Sequence, residues 1–321
     1  MNDNSSVDVV IVSWNVREEL LACLRSVAAE ATVHPRVFVV DNASGDGTVE
    51  AVAEQFPQVT LLRNPANEGF ARAANRGIAA GNAPYVLLLN PDTVVPPGAL
   101  GALVAELERR PQHGIVAPRL LGEDGSPQHS AYGFPSLRIS LLLATGAQRL
   151  LPHGLRAGWL LEGDWHSDVE RDVPWVIGAC MLVRRAAIAA AGPLDERFFV
   201  YAEDMEWCDR FARAGHRIRF LPSVSVTHLG NRSGAQRFGE DRTAAWLANS
   251  VDFVRARHGR VWTAAYLLVN GAATVTRYLG GAVLVRLNPT SRRRERQRLW
   301  RGHARYYLGL ARSRDRPART R

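Results

Sequence analysis

The 321-residue sequence predicts an α/β fold in which a mostly parallel central sheet is flanked by helices. The first observation behind this prediction is an alternation, over the first 120 residues, of short apolar runs with segments of helical periodicity. The second is the order of these segments, because a β-α-β-α series produces parallel strands with helices on both faces of the sheet.

The elements of this region follow one another closely. Runs rich in Val, Ile and Leu predict the strands, and apolar residues spaced like Leu20, Leu24 and Val27 predict the helices. Gly81 ends the third helix. In order, the predicted elements are strand 7–13, helix 17–30, strand 36–40, helix 49–56, strand 59–62, helix 70–80, strand 85–89 and helix 98–109.

The second half of the sequence has a weaker pattern. From about Gly122 to Asp172, Gly and Pro are scattered without a clear periodicity. Regular elements are predicted again beyond this region. They are strands 175–177 and 180–183, a helix over 203–214 that is followed by Gly215, and strands 218–221 and 224–227.

Composition excludes several classes of enzyme. All 40 basic residues are Arg, and the sequence contains no Lys. A P-loop, a Schiff-base or pyridoxal enzyme and a protein kinase all need a Lys, so these classes are excluded. Cys23, Cys180 and Cys208 form no CxxC pair, which favours reduced, structural cysteines in a reducing compartment. The first apolar run contains Asp8 and predicts a strand rather than a signal peptide.

Ligands of parallel α/β sheets bind at the carboxyl ends of the strands, and these ends are polar here. The first strand runs into Ser13, Trp14 and Asn15. This turn has no Gly, whereas a dinucleotide-binding fold needs Gly at three places, which argues against a Rossmann dehydrogenase. The other strand ends lead to Asp41, to the run with Asn67 and Gly69, and to Asn90 and Asp92.

Asp41 and Asp92 each have a structural and a functional interpretation. Asp41 either forms an Asx turn with the Asn, Ser and Gly residues that follow it or accepts a hydrogen bond from a pyrimidine N–H. Asp92 either caps the segment after an Asn-Pro turn or binds a hard divalent cation such as Mg²⁺ or Mn²⁺. Its position at a strand's carboxyl end favours the metal.

Glu203, Asp204 and His228 are the remaining candidates. Acidic residues in the first turn of a helix can simply offset the helix dipole. The aromatic run at 198–201 would, however, desolvate a carboxylate there and raise its proton affinity, as a general base requires. A single His is more often structural than a ligand, so His228 becomes a metal ligand only if Asp92 and Asp204 converge on it.

Taken in order, these motifs resemble glycosyltransferase family 2, whose members are inverting enzymes with the GT-A fold. The resemblance covers residues 7–234 and is to the bacterial rhamnosyltransferase-like branch. Residues 10–15 and 39–44 resemble the nucleotide-contacting strand ends, 67–77 the donor-binding helix entry, 88–92 the metal motif, 175–179 the acceptor-side segment, 198–204 the catalytic-base motif, and 227–228 the late metal-site His.

The resemblance implies an inverting displacement. The catalytic base takes the proton of an acceptor hydroxyl while that oxygen attacks the anomeric carbon, and no covalent nucleophile of the Ser-His-Asp kind is needed. The implied roles are catalysis by Asp204, with Glu203 beside it; nucleotide or donor contacts from Ser13, Trp14, Asn15, Asp41, Asn67, Gly69, Phe70, Asn75, Asn90 and Asp92; acceptor-side contacts from Trp175, Gly178 and Ala179; and a divalent cation held by Asp92 and His228.

The sequence departs from the family pattern at one motif and leaves alternatives open. The usual Asp-x-Asp reads Asn90-Pro91-Asp92, so one carboxylate is missing. The Gln-x-x-Arg-Trp motif of processive synthases is absent, which favours transfer of one sugar. The resemblance implies dTDP-rhamnose as donor and a polyprenyl-diphosphate-linked saccharide as acceptor. The alternatives are a UDP-sugar donor or a catalytically inactive scaffold anchored at a membrane.

The basic residues are concentrated at the C-terminal end. Residues 255–321 carry a net charge of +15, whereas residues 1–254 carry −6. The run 261–276 has no charge but is shorter than the ~20 residues of a spanning helix, so we expect helices that lie on an anionic membrane surface. A second apolar and basic stretch, 137–159, is expected to contribute. The alternatives are a partly disordered Arg-rich end and a nucleic-acid contact, which no recognised module supports.

The predicted organisation therefore has three parts. Residues 1–6 are expected to be disordered, residues 7–245 to form the GT-A catalytic domain, and residues 246–321 to form a helical, amphipathic, Arg-rich region that associates with membranes. We expect a cytoplasmic protein, peripheral on the inner face of the cell membrane, whose partners are a nucleotide-sugar donor, a glycan acceptor and anionic lipid.

Overall fold

The computed structural model describes residues 6–156, 168–230 and 242–312. These residues form two compact units, one of residues 6–134, 156 and 168–230 and another of residues 135–155 and 242–312. Of the segment predicted to be disordered, residues 1–5 lie outside the described residues, and Ser6 begins the first strand. Residues 157–159 of the predicted second apolar stretch and residues 313–321 of the predicted C-terminal region also lie outside the described residues. The boundary between residues 245 and 246 stays a prediction.

The first unit contains twelve strands in its described residues. They are β1 (Ser6–Ser13), β2 (His34–Asp41), β3 (Thr60–Arg63), β4 (Tyr85–Leu89), β5 (Thr93–Val94), β6 (His113–Leu121), β7 (Pro127–Gln128), β8 (Ala131–Tyr132), β9 (Arg171–Asp172), β10 (Trp175–Val176), β11 (Cys180–Arg184) and β12 (Arg217–His228). Ten form one sheet in the order β3-β2-β1-β4-β11-β6-β12-β5, with β7 on β6 and β9 on β12, and β8 pairs with β10.

The sheet is parallel on one side and mixed on the other. β3, β2, β1 and β4 are parallel, as the sequence predicts. β11 is antiparallel to both of its neighbours, β4 and β6. Since β11 runs against β4, its first residue, Cys180, lies beside the last residue of β4, Leu89. The start of β11 therefore reaches the edge of the sheet where the parallel strands end.

Helices pack on both faces of the parallel strands. Val9 and Ile11 of β1 belong to a core shared with the first, second and fourth helices. Val10 points to the other face, where Gly77 lets the third helix approach closely. The helices of this unit are α1 (Arg17–Ala28), α2 (Thr48–Gln55), α3 (Phe70–Ala80), α4 (Ala99–Arg109), α7 (Arg185–Ala191) and α8 (Glu203–Arg213). The predicted α/β class is confirmed.

One difference from the predicted elements has a simple cause. The predicted strands 218–221 and 224–227 are one strand, β12, whose pairing with β6 shifts register between Leu221 and Ser225. Pro222 lies in this gap and has no N–H for the ladder, so the strand bulges rather than ends. β6 itself was not predicted.

The second unit is helical. It comprises α5 (Leu137–Thr145), a 3₁₀ turn (Ala147–Leu150), α6 (His153–Leu155), α9 (Arg242–Leu287) and α10 (Ser291–Arg312). Gly259, with φ 80° and ψ 179°, divides α9 into two helical segments. Within the described residues, the part of α9 over Ala244–Leu287 is long and apolar enough to cross a membrane by length and composition, and little of its most apolar stretch is buried. The predicted helical character of this region is confirmed.

Candidate active site

Ser13 and Asp41 end neighbouring strands, and the register of β1 and β2 pairs them directly. Both side chains are buried. Asp41 Oδ2 accepts a hydrogen bond from the Ser44 N–H at 3.0 Å, which forms the turn considered above. Asp41 Oδ1 and Ser13 Oγ have no hydrogen-bond partner among the described residues. Because buried polar atoms are rarely left unpaired, these two atoms are available to a ligand.

Asn15 joins the turns that follow β1 and β2. Its backbone has φ 53°, a left-handed conformation that Asn adopts more readily than most residues. Its N–H donates to Ser44 Oγ at 3.0 Å, and its Oδ1 accepts from the Gly45 N–H at 2.8 Å. Trp14, in the same turn, is half-buried. Asn15 thus fixes the loop that carries Asp41.

Asn42 is a connecting residue that the sequence interpretation missed. Its Nδ2 donates to the Gly69 carbonyl at 3.1 Å, and its Oδ1 accepts from Asn64 Nδ2 at 2.7 Å and from the Glu68 N–H at 3.4 Å. Asn42 is buried. Its position directly after Asp41 was the signal, but a polar residue after a strand also fits an ordinary turn.

Gly69 and Phe70 join the start of α3 to the aromatic run at 198–201. Gly69 has φ 87° and ψ 172°, a region essentially restricted to Gly, and a Cβ there would clash with the Phe199 carbonyl oxygen. The Phe70 N–H donates to that oxygen at 2.7 Å. Asn67 Oδ1 accepts from the Gly69 N–H at 3.1 Å, which holds the turn. The predicted donor loop therefore contacts the segment that leads into α8.

Asn75, on α3, binds backbone of the same region. Its Nδ2 donates to the Leu194 carbonyl at 2.9 Å, and its Oδ1 accepts from the Leu194 N–H at 2.9 Å. Arg72, one turn earlier, pairs with Glu196 at 3.0 Å. These contacts give Asn75 a positioning role, and a direct contact with the donor stays a prediction.

Asp92 and His228 converge, which meets one of the two conditions that the metal hypothesis sets. Asp92 Oδ1 lies 3.5 Å from His228 Nε2, and both side chains are buried. Asn90 Nδ2 lies 3.4 Å from the same ring nitrogen. The short β5, which follows Asp92, pairs with the end of β12 and brings Thr93 opposite His228. The two residues meet because two distant strands pair.

Gln128 fixes the tautomer of His228. Its Nε2 donates to the His228 carbonyl oxygen at 2.6 Å, which leaves its Oε1 to accept a hydrogen bond from His228 Nδ1 at 2.9 Å. The proton of the neutral ring is therefore on Nδ1, and the lone pair of Nε2 is directed towards Asp92 and Asn90. Such an outer hydrogen bond commonly orients a His that binds a metal.

The side chains of Asp92 and His228 are of the types that bind a divalent cation. A buried carboxylate and an imidazole lone pair supply two ligands, and Mg²⁺ or Mn²⁺ sites are commonly completed by substrate phosphates and water. Asp204 does not join them: within residues 6–156, 168–230 and 242–312, no group of three or more His, Cys, Asp or Glu side chains could hold a metal. Asn90 replaces the missing carboxylate with an amide.

Asp204 opens α8 with both carboxylate oxygens bound to backbone. Oδ2 accepts from the Gly178 N–H at 3.0 Å, and Oδ1 accepts from the Met205 N–H at 2.8 Å. Loss of hydration raises the pKa of Asp204 to about 6, although the hydrogen bonds from Gly178 and Met205 act in the opposite direction. A half-buried carboxylate with this pKa suits a general base.

Glu203 differs sharply from its neighbour. Its side chain is buried, and its Oε2 has no hydrogen-bond partner among the described residues. Burial, and then the charge of Asp204, raise the pKa of Glu203 well above its ordinary value. Of the two carboxyl groups, Asp204 is therefore the one that ionises first.

The backbone before these carboxylates is strained. Tyr201 and Ala202 have φ of 69° and 70°, in the left-handed region that non-Gly residues rarely adopt. Each such residue costs on the order of 1–3 kcal/mol and is found mainly at functional sites. These two left-handed residues turn the chain immediately before α8 begins at Glu203.

The segment before β11 connects Asp204 to the Asp92–His228 pair. The Gly178 N–H donates to Asp204, and the next residue, Ala179, accepts a hydrogen bond from the Asn90 N–H at 2.9 Å. Trp175, at the start of the same segment, is buried; its Nε1 donates to the Gly133 carbonyl at 3.0 Å, and its ring stacks on Tyr132. A ring that is buried in this way supports the segment, and a direct contact of Trp175 with the acceptor stays a prediction.

Comparison with known proteins identifies the family. The profile "Glycosyl transferase family 2" matches residues 8–154. The N-acetylglucosaminyl-diphospho-decaprenol L-rhamnosyltransferase of Mycobacterium tuberculosis is 33% identical over an alignment of 270 residues that covers 80% of this chain and 86% of the relative. This chain belongs to glycosyltransferase family 2. The family 2 chain is also similar to rhamnosyltransferase WbbL of Escherichia coli, with 24% identity over 161 residues, 49% of this chain and 56% of that protein.

Solved structures confirm the GT-A fold of this glycosyltransferase. The mannosyltransferase PcManGT from Pyrobaculum calidifontis, in complex with GDP-Man and Mn²⁺, has a TM-score of 0.56 at 18% identity and covers 95% of this chain and 85% of its own. GalNAc-T7 with UDP, GalNAc and Mn²⁺ has a TM-score of 0.54 at 17% identity over 80% of this chain and 51% of its own. Both neighbours contain Mn²⁺ with a nucleotide.

Proposed function

We propose that this family 2 enzyme transfers one rhamnose from dTDP-rhamnose to a lipid-linked saccharide, with inversion, in the synthesis of a cell-envelope glycan. One observation carries the proposal. Two consecutive residues, Gly178 through its N–H and Ala179 through its carbonyl, bind Asp204 and Asn90 and so link the carboxylate base to the Asp92–His228 pair. Transfer from a sugar nucleotide needs a base for the acceptor hydroxyl and neutralisation of the charge on the leaving diphosphate, both at one site.

Asp204 performs the proton transfer in this proposal. It removes the proton of the acceptor hydroxyl as that oxygen forms a bond to the anomeric carbon. The bond from that carbon to the nucleoside diphosphate breaks on the opposite face, so the configuration inverts and the diphosphate leaves with the electron pair. With a pKa of about 6, Asp204 is mostly ionised at pH 7 and still basic enough to accept the proton.

The nucleotide is expected at the ends of β1 and β2. The unpaired Asp41 Oδ1 can accept the imide N–H of thymine or uracil, and Ser13 Oγ lies beside it in the register. This contact does not distinguish dTDP from UDP, so a UDP-sugar remains the alternative donor. Asp92 and His228 would hold Mg²⁺ or Mn²⁺. When bound, such an ion neutralises the negative charge that develops on the leaving diphosphate.

The choice of rhamnose and of a lipid-linked acceptor rests on the relatives. The M. tuberculosis protein carries both in its name, and it aligns with 80% of this chain. A cytoplasmic location at the inner face of the membrane suits an acceptor of this kind and the absence of CxxC pairs noted above. Contact with the membrane surface would rest on the second unit alone.

A donor screen tests the proposal. Purified enzyme, Mg²⁺ or Mn²⁺ and a synthetic N-acetylglucosaminyl-diphospho-polyprenol are incubated separately with dTDP-rhamnose and with a panel of UDP-sugars, and products are identified by mass spectrometry. We expect a mass gain of one deoxyhexose with dTDP-rhamnose only. A product formed with a UDP-sugar and not with dTDP-rhamnose would show that the donor is a UDP-sugar. No turnover with any donor, together with no binding of dTDP or UDP by calorimetry, would favour the inactive scaffold.

A further inference from the structure

One face of α9 is exposed and uncharged along most of the apolar part of the helix. Exposed residues recur there every three or four positions, which is the spacing of a single helix face. Leu268 is 74% exposed and Leu279 is 59% exposed, which is unusual for Leu. We call this face the outer stripe; its members are Val261, Ala264, Leu268, Ala272, Thr276, Leu279 and Val283.

The opposite face of α9 packs within its own unit. Tyr266 and Thr274 are buried. Asn270 Nδ2 donates to Ser140 Oγ of α5 at 2.9 Å, and the Tyr278 carbonyl accepts from Gln297 Nε2 of α10 at 3.1 Å. These contacts of α9 within its own unit therefore come from this opposite face, not from the outer stripe. Large contiguous apolar patches are rare on soluble proteins and mark surfaces that bind something apolar.

Positive charge lies at both ends of the outer stripe. Arg255 and Arg260 are exposed before it, and Arg286 is exposed after it. Along α10 the exposed face is also basic. Its exposed Arg residues are Arg292, Arg294, Arg296, Arg298, Arg301 and Arg305. This distribution would repel a second copy of the same unit and attract a surface of anionic lipid.

We propose that the outer stripe inserts into one leaflet of an anionic bilayer, with the stretch 260–287 of α9 lying parallel to the membrane plane. An apolar helix face with flanking Arg side chains suits the boundary between headgroups and acyl chains. Apolar insertion and charge attraction act together, so binding needs anionic lipid and needs the stripe. This inference concerns the second unit and holds whichever sugar the enzyme transfers.

The packing of α10 distinguishes this arrangement from a span. α10 lies beside α9, with the Arg277 guanidinium of α9 5.1 Å from the centre of the Trp300 ring of α10. If α9 crossed the bilayer, α10 would carry Arg298, Arg301 and Arg305 into the hydrocarbon, where charged side chains are strongly disfavoured. In the parallel arrangement, these side chains can remain at the level of the headgroups.

Vesicle flotation with the full chain tests the partner. Vesicles of phosphatidylglycerol and phosphatidylcholine should bind the protein, and vesicles of phosphatidylcholine alone should not. Leu268→Glu combined with Leu279→Glu should reduce binding to the anionic vesicles at least tenfold. The matched control is Val169→Glu, which adds a charge at an exposed apolar residue of the first unit and should bind like the wild type. Unchanged binding by the double variant, with an unchanged circular dichroism spectrum, would overturn the proposal.

Two further readouts separate the alternatives. Sedimentation velocity without lipid should give a monomer; a dimer that the double variant abolishes would assign the stripe to a second copy and overturn the proposal. The three described cysteines are buried, so Ala264→Cys, Ala272→Cys and Leu279→Cys can each carry one fluorophore for quenching by brominated lipids. A similar shallow depth at all three positions supports the parallel arrangement, and a maximum depth at Ala272 would show a span. Transfer to a soluble acceptor reports separately on the catalytic proposal.

Discussion

Asp204 and Glu203 are adjacent residues whose surroundings assign them different chemistry. Asp204 has two backbone N–H partners and is half-buried, whereas Glu203 is buried with an unpaired oxygen. If Asp204 is the base, Asp204→Asn should lower turnover by about 10²–10⁴ and leave the nucleotide affinity nearly unchanged, because the amide keeps the shape but cannot accept a proton. Turnover assays and calorimetry with a nucleoside diphosphate measure the two effects. Near wild-type turnover in the Asp204→Asn variant would show that Asp204 is not the base.

The pH dependence gives a second check on the same pair. A base works in its ionised form, so activity should rise with pH through the pKa of Asp204, about 6. Between pH 5 and pH 7 we expect an increase of about tenfold in turnover, as the ionised fraction grows from about a tenth to about nine tenths. Glu203→Gln is the matched variant. It should keep this profile, because Gln preserves the shape of the buried side chain and leaves the two backbone hydrogen bonds to Asp204 in place; loss of activity with Gln would point to Glu203 as the base.

Gln128 should control the metal site through His228. Gln128→Leu removes both the donor to the His228 carbonyl and the acceptor for Nδ1, so the ring is free to rotate and change tautomer. We expect Mn²⁺ affinity in the presence of a nucleoside diphosphate to fall about 10–100-fold, as for other outer hydrogen bonds to ligand His residues. Isothermal titration calorimetry measures this change, and the same loss or more is expected for Asp92→Ala and His228→Ala.

The control for this prediction is Gln112→Leu. Gln112 is exposed and lies just before the start of β6, whereas Gln128 pairs with Leu120 near the end of that strand, so the control removes a Gln side chain far from His228 along β6. It should leave Mn²⁺ affinity unchanged. Equal Mn²⁺ affinity in the Gln128→Leu protein and the wild type would show that the His228 ring needs no such support. An enzyme that is fully active in EDTA would remove the metal role from Asp92 and His228 together.

At the scale of elements, the entry to α3 depends on Gly69. Gly69→Ala should lower the free energy of unfolding by more than the about 1–3 kcal/mol of its backbone conformation, because the new Cβ also meets the Phe199 carbonyl. Denaturant unfolding measures this loss. Gly98→Ala is the matched control, since Gly98 also has positive φ, 82°, but open space around it. It should lose only about 1–2 kcal/mol, and an equal loss in both variants would contradict the clash.

The strands and helices that came from local patterns were predictable, and the contacts between them were not. Apolar runs and helical spacing gave β1, β2 and β4 because each is encoded by adjacent residues. Gln128 could not be predicted as a partner of His228, because their 100 residues of separation are bridged only by the pairing of β7, β6 and β12. The convergence of Asp92 on His228 was predictable only as a condition, since it depends on the pairing of β5 with β12.

At the scale of the whole molecule, charge and fold divide the chain differently. The sequence places the change from acidic to basic character near residue 255. The compact helical unit, however, also includes residues 135–155, whose α5 packs on α9 through Ser140 and Asn270. The predicted apolar stretch at 137–159 thus belongs, in its described part, with the basic helices. Sequence alone could not show this, because the two segments are separated by about 90 residues of the first unit.

Truncation tests whether membrane binding can be separated from nucleotide binding. A chain that ends at Ser250 keeps every residue of the candidate active site and should still bind the sugar nucleotide. It should no longer bind anionic vesicles, and its activity should fall far more on a lipid-linked acceptor than on a soluble analogue. The shorter chain also exposes the face of α5 that packed on α9, so circular dichroism must first show that it is folded. A folded truncated chain that binds vesicles as tightly as the full chain would contradict the prediction.

The link through Gly178 and Ala179 makes the length of this segment important for the geometry of the candidate active site. Gly178 and Ala179 form a turn between β10 and β11, so one inserted or deleted residue between Ile177 and Cys180 would displace the backbone groups that face Asp204 and Asn90. The turn at 122–126, closed by a hydrogen bond from the Gly122 N–H to the Ser126 carbonyl, carries no such constraint. Variation in chain length should therefore be tolerated in that turn and rejected before β11. The turn between β6 and β7 can then change in length while the spacing between Asp204 and Asn90 stays fixed.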